Sequence, residues 1–211
     1  MIARIHYENR EDWLSGRSSQ GIGGSEAAAI VGMSPWLTAV ELWRQKVGLS
    51  QPKDLSGNEA VERGIRMEPA IREFFKALHP ECTVSHFPYD LLFQKERPWL
   101  FASLDGEIVR EDGKRGVLEI KTGTTQKWKE WADGGVPRNY LVQCNHQLLA
   151  TGWDFVFVIA LLYRPNGDME LLEREIWRED HETDLDWLLQ NETKFWRHIE
   201  SGTMPPQTIT I

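Results

Sequence analysis

The chain has 211 residues, 41% of them apolar and 27% charged, with a formal net charge of −8 at pH 7. That size suits one well-buried domain over 1–211 with a short tail from about 202, and the acidic balance excludes a surface coated with positive charge for general nucleic-acid binding. No apolar run is long enough to span a bilayer, the opening Met1-Ile2-Ala3-Arg4 lacks a secretory apolar segment, and the distant Cys82 and Cys144 form neither a disulfide framework nor a metal-ligand spacing, so a reducing, cytoplasmic setting is expected.

Gly21-Ile22-Gly23-Gly24-Ser25-Glu26 opens a helix through Ala27, Ala28, Ala29, Ile30 and Val31, with Ser25 at its N-terminal end and Gly32 ending it. Thr38 caps a second helix, through Leu42, Trp43 and Val47, closed by Gly48; residues 49–57 read as a polar loop. A longer helix runs from about Asn58 to Leu78 and stops near Pro80, with an apolar stripe of Val61, Ile65, Ile71, Phe75 and Leu78. Glu68 falls inside that stripe. A carboxylate on a buried face is costly unless paired or bound to a cation, so Glu68 reads either as a partner of Arg72 one turn on or as an acid aimed at a site.

Short strands are predicted over about 82–86, 90–93, 99–109 and 116–122. In an extended segment alternate side chains share a face, so Ser103 and Asp105 lie together, opposite Leu100, Ala102, Leu104 and Ile108. In the next strand Glu119 and Lys121 share a face, while Leu118 and Ile120 point the other way. The charged turn Glu111-Asp112-Gly113-Lys114-Arg115-Gly116 folds the two into a hairpin that brings Asp105 beside Glu119 and Lys121.

A helix over 125–133, broken by Gly134-Gly135-Val136-Pro137, precedes another over about Arg138 to Thr151. Phe155 to Tyr163 is almost unbroken in apolar residues, as for a central strand buried on both faces, and Met169 to Trp177 pairs with it as a hairpin. An amphipathic helix over about 180–200 follows, and a tail with Pro205-Pro206 leaves the fold. Helices flanking a mixed central sheet make the class α/β or α+β.

Among ten tryptophans, Trp43, Trp153, Trp187 and Trp196 lie in helical or helix-end patterns and read as packing residues. Trp128 and Trp131 alternate with Lys127, Lys129 and Glu130 and read either as core or as platforms for stacked bases. Cations cluster at Arg63, Arg66 and Arg72, at Lys114 and Arg115, and at Lys127 and Lys129, as solvated faces or as a basic channel within an acidic protein.

Two carboxylates and an ammonium converging in front of apolar residues can hold a divalent metal and activate a water against a phosphate. The alternative is an exposed hairpin face with cross-strand ion pairs. Glu-x-Lys alone is weak, since it recurs at Glu192-Thr193-Lys194 on a polar helix; only Glu119-Ile120-Lys121 sits in an apolar strand one turn after a strand carrying Asp105.

Asp105 followed by Glu119-Ile120-Lys121 resembles the PD-(D/E)XK nuclease motif, with Leu104 in place of its proline. Further motifs resemble the phage lambda exonuclease and YqaJ viral recombinase branch. They are Trp13-x-x-x-Arg17, Gly23-Gly-Ser25-Glu-Ala-Ala-Ala-Ile-Val-Gly32 with Ser34-Pro35-Trp36, Arg63-Gly64-x-x-Met67-Glu68-Pro69, and Tyr140-x-x-Gln143-x-Asn145 before Thr151-Gly152. They occur in family order from 13 to 152.

The resemblance implies a restriction-endonuclease-like core and a 5′→3′ exonuclease on linear double-stranded DNA. Such enzymes release 5′-mononucleotides and leave a 3′ tail for a single-strand annealing recombinase; family members form trimeric rings. It also implies Mg²⁺, with Mn²⁺ as substitute, as two ions held by Asp105, Glu119, the Ile120 carbonyl and Glu68, with Lys121 catalytic. Its 5′-phosphate residues map to Arg17, Ser25 and Gln143, and to Asn145 where the family has glutamine, one methylene longer; Ser103, on the face of Asp105, adds a donor. A nuclease-fold module that binds DNA ends or an annealing protein without chemistry, and an endonuclease sharing the core, are the competing readings.

Overall fold

The computed structural model describes residues 1–124, 131, 135–164 and 166–206. In chain order it forms β1 (Ile2–His6), α1 (Arg10–Gln20), β2 (Ile22–Gly23), α2 (Gly24–Ile30), α3 (Ala39–Lys46) and α4 (Glu59–Leu78). Then come β3 (Cys82–Ser85), β4 (Asp90–Gln94), β5 (Leu100–Ala102), β6 (Gly106–Arg110) and β7 (Arg115–Thr124). The described chain closes with α5 (Arg138–Thr151), β8 (Phe155–Tyr163), β9 (Met169–Trp177), a short 3₁₀ turn (Arg178–Asp180) and α6 (Glu182–Ser201). The expected helix over 125–133 lies outside the described residues, apart from Trp131.

The strands build two mixed sheets where one was expected. The larger has the order β3-β6-β7-β8-β9, the smaller β1-β4-β5-β2. Among the described residues only β7/β8 and β2/β5 pair in parallel. The predicted strand over 99–109 is therefore two strands, β5 and β6, broken at Ser103-Leu104-Asp105, where the chain leaves one sheet for the other. An alternating pattern cannot reveal such a break, because the period continues on either side of it.

β8 is apolar on both faces because both are covered. Val156, Val158, Ala160 and Leu162 pack with Leu148 and Leu149 of α5 and with Leu185 and Leu188 of α6. Phe155, Phe157 and Ile159 face α4 through Ile71 and Phe75, and the Phe75 and Phe157 rings meet edge-on at 4.8 Å. Antiparallel strands can be joined by a tight turn, but parallel β7 and β8 need a crossover, and α5 lies within it.

The stripe of α4 is buried only in its C-terminal half. Val61, Ile65 and Leu78 are exposed, whereas Ile71 and Phe75 are buried. Pro69 sits inside this helix and cannot donate to the Ile65 carbonyl. Capping follows the sequence at α3, where the Thr38 hydroxyl accepts from Glu41 N–H at 3.2 Å and the Glu41 carboxylate accepts from Thr38 N–H at 2.8 Å. At α2 the cap is Gly23, so Ser25 lies inside the first turn. Gly21, just before, has φ 155°, and a Cβ there would meet the Trp99 carbonyl at 2.0 Å; only glycine lets β2 pair with β5.

Behind the sheets, α5 and α6 are joined by a fully buried pair. His146 Nδ1 lies 2.6 Å from Glu192 Oε1, and His146 Nε2 lies 2.8 Å from the Phe101 carbonyl. Both ring nitrogens face acceptors, so both carry protons and the ring is an imidazolium. Trp131 is 2% exposed and packs in the core, which sets aside its reading as a base-stacking platform; Trp128 lies outside the described residues. Pro205 is buried, so the tail stays on the fold to that point.

Candidate active site

Register places the first acid. Gly106 pairs with Leu118, and one residue further along the same antiparallel ladder Asp105 comes opposite Glu119. The Asp105 backbone is fixed from α4: Arg72 Nε, on a buried guanidinium, donates to the Asp105 carbonyl at 2.6 Å. The Asp105 carboxylate accepts from the Ile120 N–H at 2.8 Å. Burial, then the charges of Glu119 and Glu68, push the Asp105 carboxyl well above its ordinary range, against Lys121 and the Ile120 N–H.

Glu119, on β7, is 2% exposed and held by three donors. Lys121 Nζ and Gln143 Nε2, the latter at 2.7 Å, donate to Oε1, and Gln147 Nε2 donates to Oε2. Gln143 also accepts from Lys121 Nζ at 3.0 Å, and that ammonium stands 4.8 Å from the centre of the Tyr140 ring. Burial alone would lower the Lys121 pKa. Glu119 and Asp105 more than reverse this and hold the ammonium above its ordinary value. Gln147 went unnoticed in the sequence. Its signal was its spacing, one helical turn after Gln143 on the same face of α5.

Glu68 is half-buried on α4, and burial raises its carboxyl, with Arg72 opposing and Glu119 assisting. Its expected partner Arg72 is hydrogen-bonded to the Asp105 carbonyl instead. Among the described residues no three His, Cys, Asp or Glu side chains are gathered closely enough to hold one ion. Asp105, Glu119 and Glu68 nonetheless lie within electrostatic reach of one another. Asp105 is turned to the Ile120 N–H, and Glu119 to Lys121 and the two glutamines. The donor chemistry still fits a hard divalent cation: the Asp105 and Glu68 carboxyls, raised by burial and by neighbouring carboxylates, are what such a charge relieves.

Arg17 and Ser25 come together as their motifs suggest. Arg17 follows Trp13 by one turn of α1, stacks over that ring at 4.7 Å, and donates from Nη2 to Ser25 Oγ at 3.4 Å. Its guanidinium has no carboxylate within ion-pairing distance among the described residues, yet it feels Glu26, Asp105 and Glu119 through space. Burial is the larger effect and lowers its pKa.

Two expected phosphate donors are not available to this site. Ser103 is not on a strand face shared with Asp105, and its hydroxyl donates to the Asp90 carbonyl at 3.1 Å. Asn145 lies two residues from Gln143, about 200° around a helix, on the far face of α5. It is 4% exposed, lines a cavity with Met33, Arg138 and Trp187, and its Oδ1 has no hydrogen-bond partner. Among the described residues the cation clusters are mostly engaged, Arg66 with Glu62, Arg72 with Asp105, and Arg115 with Glu107; Lys127 and Lys129 lie outside the described residues.

Residues 12–154 match the family described as the YqaJ-like viral recombinase domain. The chain is 29% identical over 214 residues to a Bacillus subtilis (strain 168) protein described as uncharacterized protein YqaJ; the match covers 98% of this chain and 61% of that one, so the chain spans under two thirds of that relative. Among solved structures it is similar to the alkaline exonuclease LHK-Exo of Laribacter hongkongensis, with TM-score 0.68 and 18% identity over 92% of this chain and 94% of that one. LHK-Exo in complex with dAMP gives TM-score 0.67 and 19% identity, with the same coverage. At these identities the likeness is one of fold, that of a restriction-endonuclease-like core. The family match spans Trp13, Arg17, Ser25, Glu68, Asp105, Glu119, Lys121 and Gln143, and with it the chain belongs to the YqaJ-like viral recombinase family.

Proposed function

We propose that the chain is a metal-dependent 5′→3′ exonuclease that shortens linear double-stranded DNA, releases 5′-mononucleotides and leaves a 3′ tail for a single-strand annealing partner. One observation carries this reading: Asp105, Glu119 and Lys121 form one cluster, with Glu119 buried and the other two partly so, and the Arg17 guanidinium, which has no ion pair among the described residues, lies within its electrostatic reach. A protein of the same fold binds dAMP, a deoxynucleoside monophosphate, which agrees with a mononucleotide product.

Asp105 and Glu119, with the Ile120 carbonyl and Glu68 as further oxygen donors, would hold Mg²⁺ or Mn²⁺. The bound ion would supply Lewis-acid charge neutralisation and a water of lowered pKa. Lys121 is an ammonium in the free protein, so its part is to orient the attacking water and to offset charge on the phosphate, rather than to act as a resting base. Gln143 steadies that ammonium from the other side. The planar fork of Arg17 suits a terminal phosphate through two parallel hydrogen bonds, with the Ser25 hydroxyl beside it. Closed trimeric assembly belongs to the same proposal, by family resemblance.

The test is digestion of end-labelled linear duplex with Mg²⁺, with and without a 5′ phosphate. The reading expects attack from 5′ ends, slower without the phosphate, no cutting of closed circles, and loss of the phosphate preference in Arg17→Ala. Attack from 3′ ends or equal cutting of circles contradicts it. Binding of DNA without hydrolysis in any divalent metal favours the silent module.

A further inference from the structure

Arg17 lies within reach of a negative charge that works against an anion beside it. Glu26 directly follows Ser25 in the first turn of α2, and after burial its charge is the largest influence on the Arg17 guanidinium. A terminal phosphate carries about two negative charges at neutral pH. An uncompensated carboxylate next to Ser25 would repel it.

The compensation comes from α3. Lys46 Nζ lies 2.8 Å from Glu26 Oε2, and the same oxygen accepts from the Gly23 N–H at 2.9 Å. The Lys46 side chain is 5% exposed. Its contact with Glu26 is an ion pair without hydrogen-bond alignment, and the ammonium has no other partner among the described residues. A buried lysine is costly, and replacing such a pair by apolar residues of similar volume is often neutral for folding, so stability alone does not call for this one. The nitrogen is also sealed from solvent, so it acts on a phosphate through Glu26 and not by contact.

We propose that Lys46 is a positioning residue of the end-binding site: by holding and neutralising Glu26 it keeps the surroundings of Arg17 and Ser25 attractive to a terminal phosphate. This rests on the 5′-phosphate reading above. The Gly23 N–H fixes the carboxylate, and the carboxylate fixes where the compensating charge sits. Arg17 is left as the open cation, with the exposed Ser25 beside it.

The test is the ratio of kcat/KM on 5′-phosphate over 5′-hydroxyl duplex ends, with Mg²⁺, in the wild type, Lys46→Met, Glu26→Gln and the double variant, with circular dichroism to establish folding. Lys46→Met should lower the ratio about tenfold, mainly through KM on phosphorylated ends, because it leaves a carboxylate charge uncompensated near the phosphate. The double variant should restore the ratio, since it leaves no charge unbalanced. A folded Lys46→Met with the wild-type ratio overturns the assignment while leaving the phosphate reading intact. So does a double variant as low as Lys46→Met, which is what a merely structural pair would give. A wild type without phosphate preference overturns both. If Lys46→Met does not fold, Glu26→Gln and the double variant decide: each should match or exceed the wild-type ratio, and a fall in either refutes the proposal.

Discussion

Replacing Glu192 with glutamine tests whether the buried pair behind the site is ionic. In the wild type, burial alone would lower the His146 pKa, but Glu192 and the Phe101 carbonyl raise it above its ordinary value. Stability from a raised histidine is fully present below the unfolded pKa of about 6.5 and is lost as pH rises through the folded value. In Glu192→Gln the ring has a neutral partner and folds uncharged. At about pH 8 the loss is that of a charge-assisted bond replaced by a neutral one, about 1.5 kcal/mol. On acidification the folded wild type holds a proton that the folded variant does not, which adds about 1.4 kcal/mol per pH unit, and up to about 4 kcal/mol by about pH 5. The assay is urea unfolding of both proteins across that range. The deficit should grow on acidification from about 1.5 to as much as about 5.5 kcal/mol, or roughly 3–22 °C in melting temperature for a chain of this size. A deficit that is flat with pH, or that grows toward alkali, would show that His146 is not an imidazolium.

Three further outcomes are expected. Asp105→Asn should abolish cleavage yet stabilise the fold by about 0.5–2 kcal/mol, because it removes a carboxyl raised by burial and by Glu119 and Glu68. The gain is absent at acid pH, where Asp105 is protonated in both states, and grows as pH rises; thermal melts that show no gain above neutrality sink the argument. Asn145→Leu should leave digestion of phosphorylated ends intact, since Asn145 faces away from the site; a specific loss on such ends would put it back in the phosphate pocket. Gly116→Ala should cost about 1–3 kcal/mol in chemical denaturation, because its Cβ would lie 2.3 Å from the Phe155 ring; an unchanged midpoint would show that β7 and β8 can part there.

Long regular elements were legible. The bounds of α5, β8 and β9 match the periodicity because each carries one uninterrupted pattern, and the β6–β7 hairpin follows from its charged turn. The adjacency of Asp105, Glu119 and Lys121, and of Arg17 and Ser25, was legible through their motifs. β1 and α1 were missed, since short half-exposed segments carry little pattern. Val61 and Ile65 carry an apolar stripe that no packed layer covers, which periodicity alone cannot tell from a core. Ser103 and Asn145 failed for a shared reason: their placement depends on rotation or breakage of an element, and composition does not encode either. The hold of Arg72 on Asp105 and of Gln147 on Glu119 could not be read, because each acts on a residue remote in sequence; for Gln147 only its spacing from Gln143 gave a hint.

The step from β5 to β6 has a mechanical meaning. Arg17 and Ser25 flank β2, and β2 is zipped to β5, while Glu119 and Lys121 belong to the other sheet and Asp105 stands at the step between the two. In the exonuclease proposed above, Ser103-Leu104-Asp105 would be a three-residue gauge between the grip on a chain end and the blade. Lengthening it by one residue would leave each half folded but mis-set the cutting stroke, so the size of the fragment released, rather than the capacity to seize an end, would change.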